Sequence, residues 1–244
     1  MKRYDLIAFD ADDTLWHNEH LYDQTQAGLV DLLGRYGIGK AAIDNYLYQI
    51  EGRNIKLYGY GIKSFALSMI EAAVELSGGR IAGQDVLFIL NLAKAQLNAP
   101  VELLEHVADT VSKLATRHPL MIITKGDLLD QENKLARSGL GEYFKDIEVV
   151  SDKTRESYAR LFKNHGLDAR RIVMVGNSLR SDILPALALG ASTVHVPYPN
   201  TWLHEAADAP ATGTPGFYQL EHLGQLPGLI EQLETKADGD HPSA

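Results

Sequence analysis

Asp10 and Asp12 come directly after the apolar run Leu6-Ile7-Ala8-Phe9. Thr124 ends a second run, Leu120-Met121-Ile122-Ile123, and Asn177 and Asp182 follow a third, Ile172-Val173-Met174-Val175. Carboxylates brought close together repel, so a cluster of them calls for a cation or a shared proton. A Mg2+ ion takes oxygen ligands in octahedral geometry and keeps several waters. Asp10, the backbone carbonyl of Asp12, and Asn177 or Asp182 can supply such oxygens. A carboxylate left uncommitted can attack an electrophile and form a covalent intermediate. A second carboxylate, two residues on in an extended segment, lies on the same side. It can give a proton to the leaving group and later take one from water. Thr124 offers a hydroxyl donor and Lys153 a positive charge. Both suit a phosphoryl group whose oxygens carry charge in the transition state.

Groups so distant in sequence converge only if a scaffold brings them to one place. Short apolar runs ending in turn residues read as buried parallel strands, and open α/β sheets bind ligands beyond the carboxyl ends of their strands. Between residues 21 and 97 no strand run occurs and apolar residues recur at helical spacing, with candidate helices over 24–36, 41–51, 63–76 and 84–97. Ser77-Gly78-Gly79 is a strong helix stop. Pro100 is expected to open a helix carrying Val101, Leu104, Val107, Val111 and Leu114. Further on, Asp127 is expected to cap a helix stopping at Gly139, a short strand to cover Ile147 to Val150, and Ser151 or Asp152 to cap a helix ending at Gly166. Asp182 doubles as a candidate N-cap for the helix containing Pro185. Strand and helix alternate, which predicts an α/β fold: a doubly wound parallel sheet with helices on both faces. The predicted domains are residues 1–17 with 98–237 as the α/β core and 18–97 as a helical insert after the first strand. Residues 238–244 are expected to form a disordered tail.

The chain has 244 residues, 45% of them hydrophobic, which is enough for a sizeable core. A net charge of −9 argues against a nucleic-acid partner. Without cysteine there is no disulfide and no thiolate nucleophile, which fits a cytoplasmic location. The N-terminus shows no leader pattern, and no stretch approaches the roughly 20 apolar residues of a membrane span. The segment Arg53 to Lys63 is aromatic, glycine-bearing and basic. It reads as an interhelix loop whose Arg53 and Lys56 are candidates for contacting substrate beyond the phosphate.

Asp10-Ala11-Asp12-Asp13-Thr14-Leu15 resembles the first motif, DxDxT, of the haloacid dehalogenase superfamily. Thr124 is similar to its second motif, Lys153 in Ser151-Asp152-Lys153-Thr154 to its third, and Gly176-Asn177-Ser178-Leu179-Arg180-Ser181-Asp182 to its fourth. The insert matches the position of that superfamily's helical C1 cap. The resemblance implies a Rossmann-like core and a Mg2+-dependent phosphatase acting on a small phosphorylated metabolite. It makes Asp10 the nucleophile that forms an aspartyl-phosphate and Asp12 the general acid/base. It makes Thr124 and Lys153 the phosphoryl ligands, with Lys153 also orienting Asp10. Asp10, Asp12, Asn177 and Asp182 are the candidate metal residues. One position departs from the pattern: the fourth motif commonly begins Gly-Asp, and here it begins Gly176-Asn177. The alternatives are a metal-free haloacid dehalogenase, a phosphomutase, and a phosphate-responsive regulator resembling receiver domains. In dehalogenases the residue two after the nucleophile is typically not an acid, so Asp12 favours phosphate-ester chemistry. Receivers are shorter and lack a large cap.

Overall fold

The computed structural model describes residues 3–200 and 202–239, with side chains through residue 235. In chain order the elements are β1 (Leu6–Phe9), α1 (Glu19–Gly34), α2 (Lys40–Tyr58), α3 (Ile62–Leu76), α4 (Gly83–Leu97) and α5 (Val107–Ala115). Then come β2 (Leu120–Lys125), α6 (Leu128–Ser138), β3 (Asp146–Val150), α7 (Arg155–Asn164) and β4 (Ile172–Gly176). The chain ends with α8 (Leu184–Leu187), β5 (Ser192–His195), β6 (Phe217–Gln219) and α9 (Leu226–Gly239). The expected tail over 238–244 therefore begins on residues still in α9, and its remainder, 240–244, lies outside the described residues.

The chain divides into two compact units. The α/β unit comprises the residues up to His17, Val101–Thr124, and those from Glu132 on. Its sheet has six strands in the order β3-β2-β1-β4-β5-β6. β1 pairs in parallel with β2 and β4, and β5 pairs in parallel with β4 and β6. This is the doubly wound α/β fold expected from the alternation of elements. Because side chains alternate across a strand, Ile7, Phe9, Ile122, Val173 and Val175 pack on one face with Val107 and Val111 of α5 and Leu226 and Ile230 of α9. Leu6, Ala8, Met121, Ile123, Ile172 and Met174 pack on the other with Tyr158, Leu161 and Phe162 of α7 and Ala186 of α8. Both faces are dry, which is why the strands read as unbroken apolar runs.

The helical unit comprises Asn18–Pro100 and Lys125–Gln131. Leu29, Leu32, Leu33, Ile43, Leu47, Ile50, Met69, Ala72, Ala73 and Ile89 make its core.

Four local expectations are corrected. Residues 53–58 continue α2, so Arg53 and Lys56 sit on a helix. No breaker intervenes before Gly59, whose φ of 79° ends the helix. Pro100 opens no helix. Leu103 instead bridges Trp16, and α5 starts only at Val107, after His106 in a left-handed conformation (φ 67°). The cap of α7 is Thr154, which forms a capping box with Ser157, and not Ser151 or Asp152. Lys153 therefore precedes the helix, outside its first turn. The fourth-motif turn is capped by Ser178, which accepts from Ser181 N, and the carboxylate of Asp182 is engaged elsewhere.

Candidate active site

The strand register brings the polar ends together. Phe9 is level with Ile122 and with Val175, so Asp10, Thr124 and Asn177 all follow at the carboxyl end of the three central strands. After β1 the chain coils tightly: Leu15 N donates to Ala11 O, and Asp13 N donates to Trp16 O. Asp13 takes a left-handed conformation (φ 61°), which aspartate tolerates better than most residues. The coil returns Thr14 to Asp10 and Trp16 to Asp12.

Asp10 is buried, with Lys153 against one of its oxygens and Thr14 against the other. Lys153 Nζ donates to its Oδ1 at 2.5 Å, and the same ammonium donates to Asp182 Oδ1 at 2.7 Å. Thr14 Oγ1 lies 3.1 Å from Asp10 Oδ2 and 3.2 Å from Asn177 Oδ1, and it accepts from Asn177 N. A hydroxyl carries one proton, so Thr14 donates to one of these oxygens at a time. Burial and the nearby Asp182 push the Asp10 carboxyl up to about 7, against the opposing pull of Lys153. Burial also works against the Lys153 ammonium, but Asp10 and Asp182 outweigh it and hold its pKa above the ordinary value. When both carboxylates are ionised, the one ammonium leaves a net negative charge.

Asp182 has both oxygens engaged, Oδ1 with Lys153 and Oδ2 with Ser178 N at 2.9 Å. The carboxylate reaches across because position 176 is glycine. A Cβ there would fall 2.2 Å from Asp182 Oδ2, so no larger residue fits. Ser181 Oγ donates to Glu205 Oε2 at 2.5 Å and Ser178 Oγ donates to the same oxygen, which fixes the loop from outside.

Asp12 has a different setting. Trp16 Nε1 donates to its Oδ1 at 2.7 Å and Lys134 Nζ to the same oxygen at 3.0 Å. Thr124 is 1% exposed at the end of β2.

Among the described residues, no group of three or more His, Cys, Asp and Glu is arranged to hold a metal. The donors that do gather are of mixed kind: Asp10 Oδ2 and Asn177 Oδ1 meet at Thr14 Oγ1, with the Asp12 backbone next in the chain. All are hard oxygens beside a net negative charge, which fits Mg2+ with several waters retained.

The structure thus brings Asp10, Lys153, Asn177 and Asp182 into one connected network and places Asp12 and Thr124 at the same strand ends. Arg53 and Lys56 lie on α2 of the helical unit, where Arg53 faces Glu71 at 3.6 Å. Sequence reasoning did not single out Thr14, Trp16, Lys134, Ser178, Ser181 or Glu205. Thr14 carried a signal, as the fifth residue of the first motif, and Ser178 and Ser181 lie within the fourth-motif stretch. Trp16, Lys134 and Glu205 carried none.

Residues 4–190 match the family model of the haloacid dehalogenase-like hydrolases, and the chain belongs to this family. It is therefore an enzyme built for hydrolysis. It is similar to a haloacid dehalogenase-like family hydrolase from Xanthomonas campestris, with 36% identity, a TM-score of 0.87, and coverage of 98% of this chain and 96% of that one. It is also similar to N-acylneuraminate-9-phosphatase of Rattus norvegicus, 25% identical over 175 residues, or 68% of this chain and 67% of the relative. A 2-haloacid dehalogenase from Pseudomonas syringae shares the fold at 21% identity and a TM-score of 0.65, covering 94% of this chain and 99% of that one.

Proposed function

We propose that the protein is a Mg2+-dependent phosphatase that hydrolyses a small phosphorylated metabolite through an aspartyl-phosphate. The observation that carries this reading is the second carboxylate. Asp12 stands two residues after Asp10 and is held by Trp16 and Lys134, so the site has an acid/base beside its nucleophile. Displacement of a halide needs no such group, because the leaving ion takes no proton. Ester cleavage does need one, because an alkoxide leaves poorly.

In this reading Asp10 attacks phosphorus, held by Lys153, while the bond to the leaving oxygen breaks and Asp12 protonates that oxygen. Asp12 then takes a proton from water, whose oxygen attacks phosphorus and releases phosphate and free Asp10. Thr124 and Lys153 bind the phosphoryl oxygens. Asp10, the Asp12 carbonyl and Asn177 would hold the metal, and Asp182 would support them through Lys153 and Ser178. When bound, Mg2+ offsets the charge of the phosphoryl oxygens. The catalytic core is the proposed domain 1–17 with 98–237, apart from 98–100 and 125–131, which pack with the helical unit. Residues 18–97 act as a helical cap that contributes Arg53 and Lys56 to recognition of the leaving group. The composition supports a cytoplasmic location and no nucleic-acid partner. Among the described residues no helix is long and apolar enough to cross a membrane.

The test is phosphate release from a panel of phosphorylated metabolites and an aryl phosphate, with Mg2+ and with chelator. N-acylneuraminate 9-phosphate belongs in the panel because of the relatives' activity. Mg2+-dependent release supports the proposal. Halide release from a 2-haloacid that persists with chelator, without ester hydrolysis, would replace it with a dehalogenase.

A further inference from the structure

We propose that Lys134 is a positioning residue that, together with Trp16, fixes the carboxylate of Asp12 in the orientation from which it exchanges a proton with the leaving group. This rests on the phosphatase reading above.

Asp12 and Lys134 are 122 residues apart in sequence, yet Lys134 Nζ lies 3.0 Å from Asp12 Oδ1. The ammonium is well shielded: the Lys134 side chain is 12% exposed and that of Asp12 is 25%. Most lysine–carboxylate pairs are exposed and contribute little because both chains stay mobile. Here the lysine projects from α6, which fixes its stem, and its charge lies in a partly desolvated place. The second donor, Trp16 Nε1, reaches the same oxygen from a side chain that is only 1% exposed. Trp16 is itself anchored, since its backbone bridges Asp12 and Leu103.

Two donors of fixed origin on one carboxylate oxygen set both the rotation of the carboxyl plane and which oxygen faces which way. Oδ1 is committed to Lys134 and Trp16, so proton exchange is assigned to Oδ2. Asp10 is held by Lys153, which it shares with Asp182. Asp10 and Asp12 are therefore held by different ammonium groups, one from the segment before α7 and one from α6. The roles differ. Lys153 touches the nucleophile and the proposed phosphoryl position, whereas Lys134 acts on the reaction through Asp12.

The experiment compares two substrates in Lys134→Met. An alkyl phosphate needs a proton on its leaving oxygen, and an aryl phosphate with a nitrophenolate leaving group does not. The parameter compared is kcat/KM, which reports transfer of the phosphoryl group to Asp10 and excludes the later hydrolysis, where Asp12 serves both esters alike. For the alkyl ester kcat/KM is expected to fall about 10- to 100-fold, the scale of a misplaced catalytic group. For the aryl ester the loss in kcat/KM is expected to stay within about threefold, because acid catalysis contributes little when the leaving group is already stable. Lys134→Arg, which restores a cationic donor, is expected to recover most of the alkyl-ester kcat/KM. Equal losses of kcat/KM on both esters, or no recovery with arginine, would overturn the proposal.

A second readout needs no turnover. The chain has two tryptophans, so the indole N–H region of a proton–nitrogen correlation spectrum holds two signals. Asp12→Asn assigns that of Trp16. Lys134→Met is expected to shift that signal and Lys134→Arg to return it toward its original position; a Trp16 signal indifferent to Lys134 sinks the idea. If the unsubstituted chain hydrolyses no ester, the proposed function fails and the indole signal alone decides whether Lys134 holds Asp12. Should Lys134→Met fail to fold, Lys134→Gln takes its place in both measurements.

Discussion

In the α/β unit buried charges converge on one another: one ammonium, Lys153, faces two carboxylates, Asp10 and Asp182. In the helical unit the buried polar side chains are mostly neutral and tie adjacent helices. Asn54 on α2 donates to Ser68 and Glu71 on α3, and Ser68 donates back to the Ser64 carbonyl. Tyr36 donates to Asp85 at the start of α4 and accepts from Ala82 N. A buried hydrogen-bonded amide contributes modestly to stability. A buried charge cluster is expensive and often less stable than an apolar replacement. The helical unit's arrangement is explained by folding alone. That of the α/β unit is not: carboxylates held together in a dry place are what a binding or catalytic site requires. The comparison therefore separates residues whose loss should cost function from those whose loss should cost stability.

The largest effect is expected at the nucleophile. Asp10→Asn keeps size and hydrogen-bonding shape but removes the attacking charge. Turnover should fall by at least about 10⁴-fold, the scale seen when a covalent nucleophile is lost, while the thermal midpoint changes little. Near-normal turnover of phosphate esters by this variant would show that the charge cluster is not the reacting centre. Lys153→Met should do both kinds of damage. It leaves Asp10 and Asp182 facing each other without compensation, so turnover should disappear and stability should fall by about 3–5 kcal/mol. Urea unfolding at neutral pH measures the second part. A variant as stable as the parent would mean that the two carboxylates do not depend on Lys153.

The helical unit should respond in the opposite way. Met69 on α3 is fully buried in that unit's core. Met69→Ala should cost about 2–5 kcal/mol through the cavity it leaves, with kcat of the folded fraction changed by less than about twofold, since the residue touches no reacting group. A large drop in kcat at unchanged stability would erase the division between the units.

How much of this was legible in sequence follows from the same physics. The central strands were plain because both sheet faces are dry, so each strand is a continuous apolar run with a polar end. β6 was not, because Phe217-Tyr218-Gln219 is a three-residue edge strand following a loop rich in glycine and proline. The expected helix at Pro100 was lost to tertiary pairing. Val101 to Leu114 has helical periodicity, but its first turn is used to bridge Leu103 with Trp16. Lys153 was expected in a helix because several residues nearby can cap one; Thr154 prevails because Ser157 completes a reciprocal pair with it. The four motifs were legible because catalysis constrains residue type at fixed spacing. Lys134 and Glu205 were not, since their partners are fixed only by the folded chain: Asp12 lies 122 residues from Lys134, and Ser178 lies 27 from Glu205.

The smallest expected effect concerns Asn177, where the fourth motif departs from the usual acid. Its amide oxygen meets Asp10 Oδ2 at Thr14 Oγ1. Asn177→Asp would place a further carboxylate beside a site that already carries a net negative charge. Without metal, this repulsion should lower the thermal midpoint by a few degrees, which corresponds to about 1 kcal/mol in a chain of this size. With Mg2+ the sign should reverse. A charged oxygen binds a hard cation more strongly than a neutral one, so affinity measured by calorimetry should rise by about tenfold, or about 1.4 kcal/mol. Because only the folded chain presents the site, that gain reappears as added stability once the ion is in excess. The opposed signs, destabilised without the ion and stabilised with it, distinguish a metal ligand from a turn residue. A turn residue would give the same small change under both conditions, and the metal would then rest on Asp10 and the Asp12 carbonyl without help from the fourth motif's amide.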